Sequence, residues 1–262
     1  MATPEPEPQQ RTLDDASAEV VSADDVEFDV ETDVLVAGGG GCGLTATLAA
    51  CENDDLTVTL LEKSDEVGGN AALSTGMIPA AGTRLQREAG IEETPDDMAR
   101  DIMEKNGYEA DEEMVQHLCE HSVELVHWLV DDWDISLHIV DDFKYPKHSE
   151  YRMHAPPGRN GENLVAEMKD RIEETENTEL LTNTPVKKLV AKDGAVEGVV
   201  AGAVRDEAIR AEKVILATDG FAGNKEMVRE YCEEDIADAL YYGSDGNTGD
   251  GIRWGAELGG DL

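Results

Sequence analysis

The sequence predicts an α/β fold in which a parallel sheet carries a helical insertion and is followed by a small β meander. Three features lead there: an apolar run ending in a glycine loop at residues 38–43, a second apolar run at residues 56–62, and a helical stretch between them. Val34, Leu35 and Val36 form a continuous run rather than an alternating one, as in a strand covered on both faces. Leu44 to Cys51 reads as a helix whose small residues permit close packing, and LTVTLLE (Leu56 to Glu62) as the second strand. Strand, helix and strand within about 30 residues make a βαβ unit with parallel strands and a right-handed crossover.

The other elements follow in chain order. Residues 1–28 are rich in Pro, Glu, Asp and Ala with few large apolar groups. They cannot offset their ordering entropy and are expected to be a disordered acidic tail, leaving residues 29–262 as the folded domain. From Thr94 to Trp133 the pattern is helical, with Met114, Leu118, Leu125 and Leu129 on one face, widened by Val115, Val126 and Val130. Residues 143–160 read as irregular, and a further helix is expected from Gly161. Short β-rich runs come next (ELLTN, PVKKLVA, VEGVVAGAV and KVILAT), with Asp193-Gly194 as a hairpin turn. The last segment, NTGDGIRWGAELGGDL, is a glycine loop entering a helix.

Composition narrows the function classes. Asp and Glu number 59 against 21 Lys and Arg, a formal net charge of −38 spread along the whole chain. Such a field repels nucleic acid and anionic membrane surfaces. In composition alone the chain resembles proteins of halophilic archaea, whose acidic surfaces are screened by a salt-rich cytoplasm; an ordinary acidic cytosolic protein is the other reading. Cys42, Cys51, Cys119 and Cys232 are scattered without a CxxC pair, which is neither a disulfide framework nor a zinc site. No apolar run approaches the length of a membrane span. The N-terminus lacks the regions of a signal peptide, so a cytoplasmic protein is expected.

Gly38, Gly40 and Gly43 fit G-x-G-x-x-G between a strand and a helix. The first glycine makes the tight turn, the second lets the backbone approach a pyrophosphate, and the third permits close helix–strand packing. The helix N-terminus presents free N–H groups to the phosphates, and Glu62, about 20 residues on, is placed for a ribose hydroxyl pair. The arrangement is Rossmann-like and points to a dinucleotide. Cys42, inside the loop, is counted with the cofactor-binding residues.

The residues after Glu62 select the cofactor. EKSDEVGGNAALSTGMIPAAG resembles the FAD-dependent fumarate reductase and succinate dehydrogenase flavoprotein family, including the related ketosteroid dehydrogenases, and the resemblance runs from about residue 32 to 262. It implies an FAD-binding run at Glu62, Lys63, Gly68, Gly69 and Asn70, then Ser74, Thr75, Gly76 and Met77 along the ribityl chain and flavin. VILATDGFAGNKEMV resembles the family's A-T-G-G-F segment, giving Ala217, Thr218 and Gly220, with Asp219 where a glycine is usual. TGDGIRWGAELGG resembles the T-G-D-G segment, whose Asp250 is implied on the flavin side, and Val186 falls where the family's backbone touches adenine. Covalent members attach FAD to a histidine after the glycine pair. Asn70 and Ala71 stand there instead, which implies noncovalent FAD.

Two clusters compete for a role outside this motif set. FKYPKHSEYRMHAPPGRN carries Lys144, Lys147, Arg152, Arg159, His148 and His154 against Glu150, a local positive island. It would neutralise an anionic substrate or the pyrophosphate, making Arg152 and His154 substrate- or flavin-adjacent; a loop held by surface ion pairs is the plainer reading. His117, Glu120 and His121 satisfy H-x-x-E-H, the pattern of a zinc hydrolase, without a third ligand from spacing; half-buried histidines on a packed helix are the commoner case.

The resemblance implies an oxidoreductase moving a hydride between flavin N5 and a carbon–carbon bond activated by a carbonyl or carboxylate, on a small, anionic or carbonyl-activated substrate. It also implies that the capping domain, the substrate-binding residues, the proton donor and a final FAD segment lie beyond Leu262, so no catalytic residue is assigned. The alternative is a noncatalytic FAD- or nucleotide-binding module, or a fragment, that works with a partner polypeptide.

Overall fold

In the computed structural model, residues 19–232 and 234–261 are described. The chain opens with β1 (Glu19–Ser22), β2 (Val30–Ala37), α1 (Gly41–Cys51) and β3 (Val58–Leu61), the βαβ unit expected from the apolar runs. The apolar run of β2 divides between two faces: Val34 and Val36 pack with Leu44, Leu48, Leu60, Leu164 and Met168. Leu35 and Ala37 pack with Leu61, Leu189, Val199, Ile209 and Trp254. Coverage on both faces is why the run does not alternate.

The insertion comprises α2 (Gly69–Leu73), β4 (Ile78–Pro79), α3 (Arg84–Glu88), α4 (Pro95–Asn106), α5 (Glu112–Asp131), β5 (His138–Ile139) and β6 (Met153–Ala155). The limits of α4 are local chemistry. Thr94 caps it through a box with Asp97, Pro95 opens it, and Gly107 closes it at φ 72°. Then α6 (Gly161–Glu173), capped by Asn160, returns to β7 (Thr178–Leu181). The meander follows as β8 (Val186–Lys192), β9 (Ala195–Ala201) and β10 (Glu207–Leu216). Asp193 and Gly194 both have positive φ, as a two-residue hairpin turn requires. Last come the helices α7 (Lys225–Tyr231), α8 (Glu234–Ala237) and α9 (Asp250–Glu257).

Among the described residues seven strands form one sheet, ordered β1-β8-β9-β10-β2-β3-β7. The pairs β10–β2, β2–β3, β3–β7 and β1–β8 are parallel, whereas β8–β9 and β9–β10 are antiparallel. The last residues of β2 and β10 stand side by side, Ala37 opposite Leu216. Both loops that follow therefore leave the same edge of the sheet. Among the described residues no helix is long and apolar enough to cross a membrane.

Three expectations need correction. Residues 1–18 of the expected tail lie outside the described residues, but residues 19–22 form β1, with Glu19 paired to Lys188 at 2.6 Å. Four residues become a strand here because β8 offers an open edge, a partner far off in sequence. On α5, Met114 and Leu118 are 72% and 60% exposed, and the buried stripe is Val115, Cys119, Ser122, Val126 and Leu129. Both stripes have helical spacing. The one with small Cys119 and Ser122 faces inward, and Val115 and Cys119 pack with Met98, Ala99 and Met103 of α4.

The third correction concerns Arg152 and His154, which are 1% and 0% exposed and do not line the cavity described below. The Arg152 guanidinium is bonded to both Glu93 and Asp101, each more than 50 residues earlier. A buried arginine must be paired, and these carboxylates pair it from α4 and the loop before it. His154 Nε2 lies 2.8 Å from Thr83 Oγ1, the N-cap of α3, with Nδ1 toward the Ile78 carbonyl. A neutral ring that accepts from Thr83 and donates to Ile78 satisfies both contacts. Of the rest of the island, Arg159 pairs with Asp142 and Lys144 donates to the Ser149 carbonyl at 2.8 Å.

Burial holds the His154 imidazole at about 4, well below its ordinary 6.5. Between these values the unfolded chain binds a proton that the folded chain refuses, so this group's contribution to stability falls as pH falls. Wild type should thus lose about 2–3 kcal/mol relative to His154→Gln between pH 7 and 4.5, read by urea unfolding of both proteins. A wild-type advantage that stays constant over that interval would contradict it.

Candidate cofactor site

The glycines of the loop at the end of β2 are not equivalent. Gly38 has φ 109°, and a Cβ on it would sit 2.3 Å from the Ala217 carbonyl oxygen. A Cβ on Gly43 would sit 1.7 Å from the Gly38 carbonyl oxygen. Both glycines are demanded by the fold itself. Gly40 is different: its φ is −76°, and the nearest atom to a Cβ there is the Gly68 carbonyl oxygen at 3.9 Å. Neither backbone strain nor packing asks for a glycine at 40. Open space of this kind in front of the backbone is what the second glycine of a pyrophosphate loop leaves for a ligand.

Glu62, buried at the end of β3, ties the loop together. Its Oε2 accepts from the Gly39 N–H at 2.7 Å and its Oε1 from the Ser64 N–H at 2.7 Å. Each carboxylate oxygen keeps a lone pair for a further donor such as a ribose hydroxyl. Gly68 donates its N–H to the Gly39 carbonyl at 2.7 Å, so the second glycine pair lies directly on the first loop. Lys63 Nζ reaches Asp250 Oδ2 and Thr248 Oγ1, both at 2.8 Å, joining β3 to the start of α9.

These segments enclose a cavity of about 650 Å³, a volume typical of small-molecule sites. Its walls include Gly38, Gly40, Cys42, Glu62, Lys63 and Gly69, together with Asn70, Val186, Ala217, Thr218 and Asp250. Sequence-distant motifs thus converge because β2, β3 and β10 end at one edge. Asp250 lines the cavity and pairs with Lys63, the residue after Glu62. Gly43 is packed behind the wall, Gly68 clamps the loop, and Gly220 accepts from the Gly249 N–H at 2.9 Å. Ser74, Thr75, Gly76 and Met77 do not line the cavity: the Ser74 carbonyl accepts from Gly161 and Met77 packs on Val140, Met153 and Ala155.

Sequence reasoning missed the loop Ser244, Gly246 and Asn247, and Trp254 of α9, all of which line the cavity. Asn247 is buried and its Oδ1 accepts from the Ala222 N–H at 2.7 Å, a role that the turn-forming G-N-T-G preceding Asp250 hints at. Trp254 is 1% exposed with an indole N–H that has no partner. Asp219, at φ 63°, also lines the cavity. Its Oδ2 accepts from Asn70 Nδ2 at 2.6 Å and its Oδ1 from the Gly220 N–H at 2.9 Å. Asn70 Oδ1 in turn accepts from the Ser244 N–H at 2.8 Å, so the side chain after the glycine pair spans three segments of the wall.

His117 and His121 are exposed on α5 with ring centroids 4.0 Å apart, and His121 Nδ1 contacts the His117 carbonyl. Among the described residues no third His, Cys, Asp or Glu joins them in a metal-binding group. The zinc-hydrolase alternative has no support in this geometry.

Backbone N–H groups at a helix N-terminus, a buried carboxylate beside them and a glycine with open space in front fit an FAD nucleotide. Comparison with known proteins agrees. The model of a family described as FAD binding domain matches residues 33–262. The urocanate reductase of Eggerthella lenta is 32% identical over 238 residues, covering 88% of this chain and 39% of that protein. A fumarate reductase (cytochrome) of Shewanella frigidimarina is 31% identical, covering 88% of this chain and 40% of its own length. The chain therefore spans about two-fifths of these curated relatives. An open conformation of a flavocytochrome c3 fumarate reductase superposes with a TM-score of 0.81 at 31% identity, covering 88% of this chain and 41% of that one. The 3-ketosteroid-Δ4-(5α)-dehydrogenase of Rhodococcus jostii superposes with a TM-score of 0.82 at 29% identity, covering 93% and 57%. With a family match over most of its length and the loop geometry that such a match requires, the chain belongs to the FAD-binding domain family.

Proposed function

We propose that this chain is the FAD-holding portion of an oxidoreductase that reduces or dehydrogenates a carbon–carbon bond activated by a carbonyl or carboxylate. The observation that carries it is Gly40, a glycine required by neither packing nor backbone strain, at the wall of a cavity that the FAD-family motifs build together. Bound flavin would supply hydride exchange with the substrate, while the protein sets its position and surroundings. The chain's own residues have the holding roles. Backbone N–H groups at the start of α1 face the pyrophosphate, Glu62 takes a ribose, and Val186 and Trp254 give the far wall an apolar surface.

The relatives support the substrate class: they include a urocanate reductase, a fumarate reductase and a ketosteroid dehydrogenase in complex with 4-androstene-3,17-dione. Urocanate and fumarate are carboxylates conjugated to a double bond, and the steroid carries a ketone in that position. A small anionic or carbonyl-activated substrate and a cytoplasmic setting remain the preferred reading. Noncovalent attachment fits Asn70, whose amide is already engaged by Asp219 and Ser244.

Two measurements test this reading. Full-length protein mixed with FAD and freed of excess should show a bound-flavin absorbance spectrum, released on denaturation as intact FAD. Gly40→Ala should fold with stability within about 1 kcal/mol of wild type yet lose at least tenfold in FAD affinity, since only the ligand meets the added methyl group. Gly43→Ala should instead destabilise the fold by several kcal/mol, or prevent folding, because its methyl group lands on the Gly38 backbone. Colourless wild type, or a Gly40→Ala variant that binds FAD normally, would refute the assignment.

A further inference from the structure

The cavity has an unusual charge for a site that takes an anion. Its ionisable walls are Glu62, Lys63, Asp219 and Asp250, three carboxylates against one ammonium, with no arginine or histidine among the lining residues. Lys63 is already bonded to Asp250 at 2.8 Å, so its charge is largely spent within the wall. Around the cavity lies a chain of net charge −38. Among the described residues, the row of backbone N–H groups at the start of α1 is the donor set that this wall offers to a doubly charged pyrophosphate.

Asp219 stands out among these carboxylates. Glu62 holds the Gly39 and Ser64 N–H groups, and Asp250 is neutralised by the Lys63 ammonium. Asp219 sits at φ 63°, a backbone that a glycine takes without strain, so the fold does not ask for a carboxylate here. The carboxylate is nonetheless fixed, by Asn70 at 2.6 Å and by the Gly220 N–H at 2.9 Å. It directly follows Ala217 and Thr218, whose backbone lies against Gly38. A carboxylate so placed shares a wall with the loop that receives the phosphates. Charges gathered in one cavity repel across a distance that dissolved salt controls, with a screening length of about 10 Å at 0.1 M and about 3 Å at 1 M.

Resting on the FAD reading above, we infer that Asp219 makes cofactor binding depend on dissolved cations, so that affinity for the FAD dianion rises with salt. An ordinary anion site is lined by Lys and Arg, and added salt weakens it by screening attraction. Here the Asp219 carboxylate in the wall adds a repulsion toward an anionic ligand, and added salt screens that repulsion instead. The inference also gives the acidic composition a local consequence: the site is tuned to a salt-rich solution by a side chain in its wall.

The test is FAD affinity of the full-length protein, read by flavin fluorescence, as a function of KCl in wild type and Asp219→Asn. The substitution is nearly isosteric, removes the charge, and leaves one carbonyl oxygen that can still accept from Asn70, at the loss of the bond from the Gly220 N–H. Far-UV circular dichroism defines the salt range in which both proteins are folded, and only that range is compared. Wild-type affinity should rise about tenfold between 0.3 and 2 M KCl, whereas Asp219→Asn should bind about threefold more tightly at 0.3 M and show about half the slope on a logarithmic scale. Equal slopes in the two proteins, or an affinity that falls with salt, would overturn the inference and leave the FAD reading intact. An Asp219→Asn variant that alone fails to bind FAD would also overturn the inference and leave the FAD reading intact, whereas failure of the wild type at any salt would overturn both.

Discussion

Where β2 leaves the sheet, the backbone of Gly38 runs so close to the Ala217 carbonyl that a Cβ would sit 2.3 Å from it, and α1 begins where Gly43 lies on Gly38 in the same way. The strands end level with each other, Ala37 beside Leu216, and this brings the three main-chain segments together. From it follow the positions of the other walls. Gly39 turns its N–H to Glu62, Gly68 seats on the Gly39 carbonyl, and the segment after β10 delivers Thr218 and Asp219 beside the loop. Side-chain chemistry is secondary at this point: the site is first a problem of bringing main chains together without Cβ atoms.

That explains which parts of the structure were legible in the sequence. Glycines at fixed offsets after an apolar run report a steric requirement directly, and Gly38, Gly43 and the strand–helix–strand order are readable for that reason, while the strand limits are not: β2 begins at Val30, four residues before its apolar run. Long-range pairing leaves no such mark. Glu19–Ser22 is a strand because β8 has a free edge, which no local pattern announces. On α5 two stripes one residue apart have the same period, and the choice between Met114–Leu118 and Val115–Cys119 is made by how closely α4 approaches. Ser74 to Met77 carry the family pattern, but their neighbours are Pro156, Gly161 and Met153, which sequence spacing does not reveal.

Arg152 and His154 follow a different logic. In a chain with so few cations, a run of basic residues suggests a positive surface, yet the cations serve nearby carboxylates. Arg152 goes to Glu93 and Asp101, Arg159 to Asp142, Lys63 to Asp250 and Arg171 to Asp134. The exposed pairs are each worth little. The buried one is costly to break, since removing the arginine would strand two carboxylates in the interior. Its effect is to pin β6 to α4, and His154 joins the same strand to Thr83 at the start of α3. The island is a fastening for the insertion rather than a face toward a ligand.

The contrast between Gly40 and its neighbours then bears on how the site is prepared. Gly38 and Gly43 are held by contacts within the protein, and Glu62 is fixed through two backbone N–H groups, so little of the loop is left to order when a ligand arrives. Preorganisation of this kind lowers the entropic cost of binding. Asp219 works in the opposite sense, placing charge where an anion must come. A site with rigid backbone donors and a repulsive wall gains its selectivity from geometry, and leaves its strength to the surrounding solution.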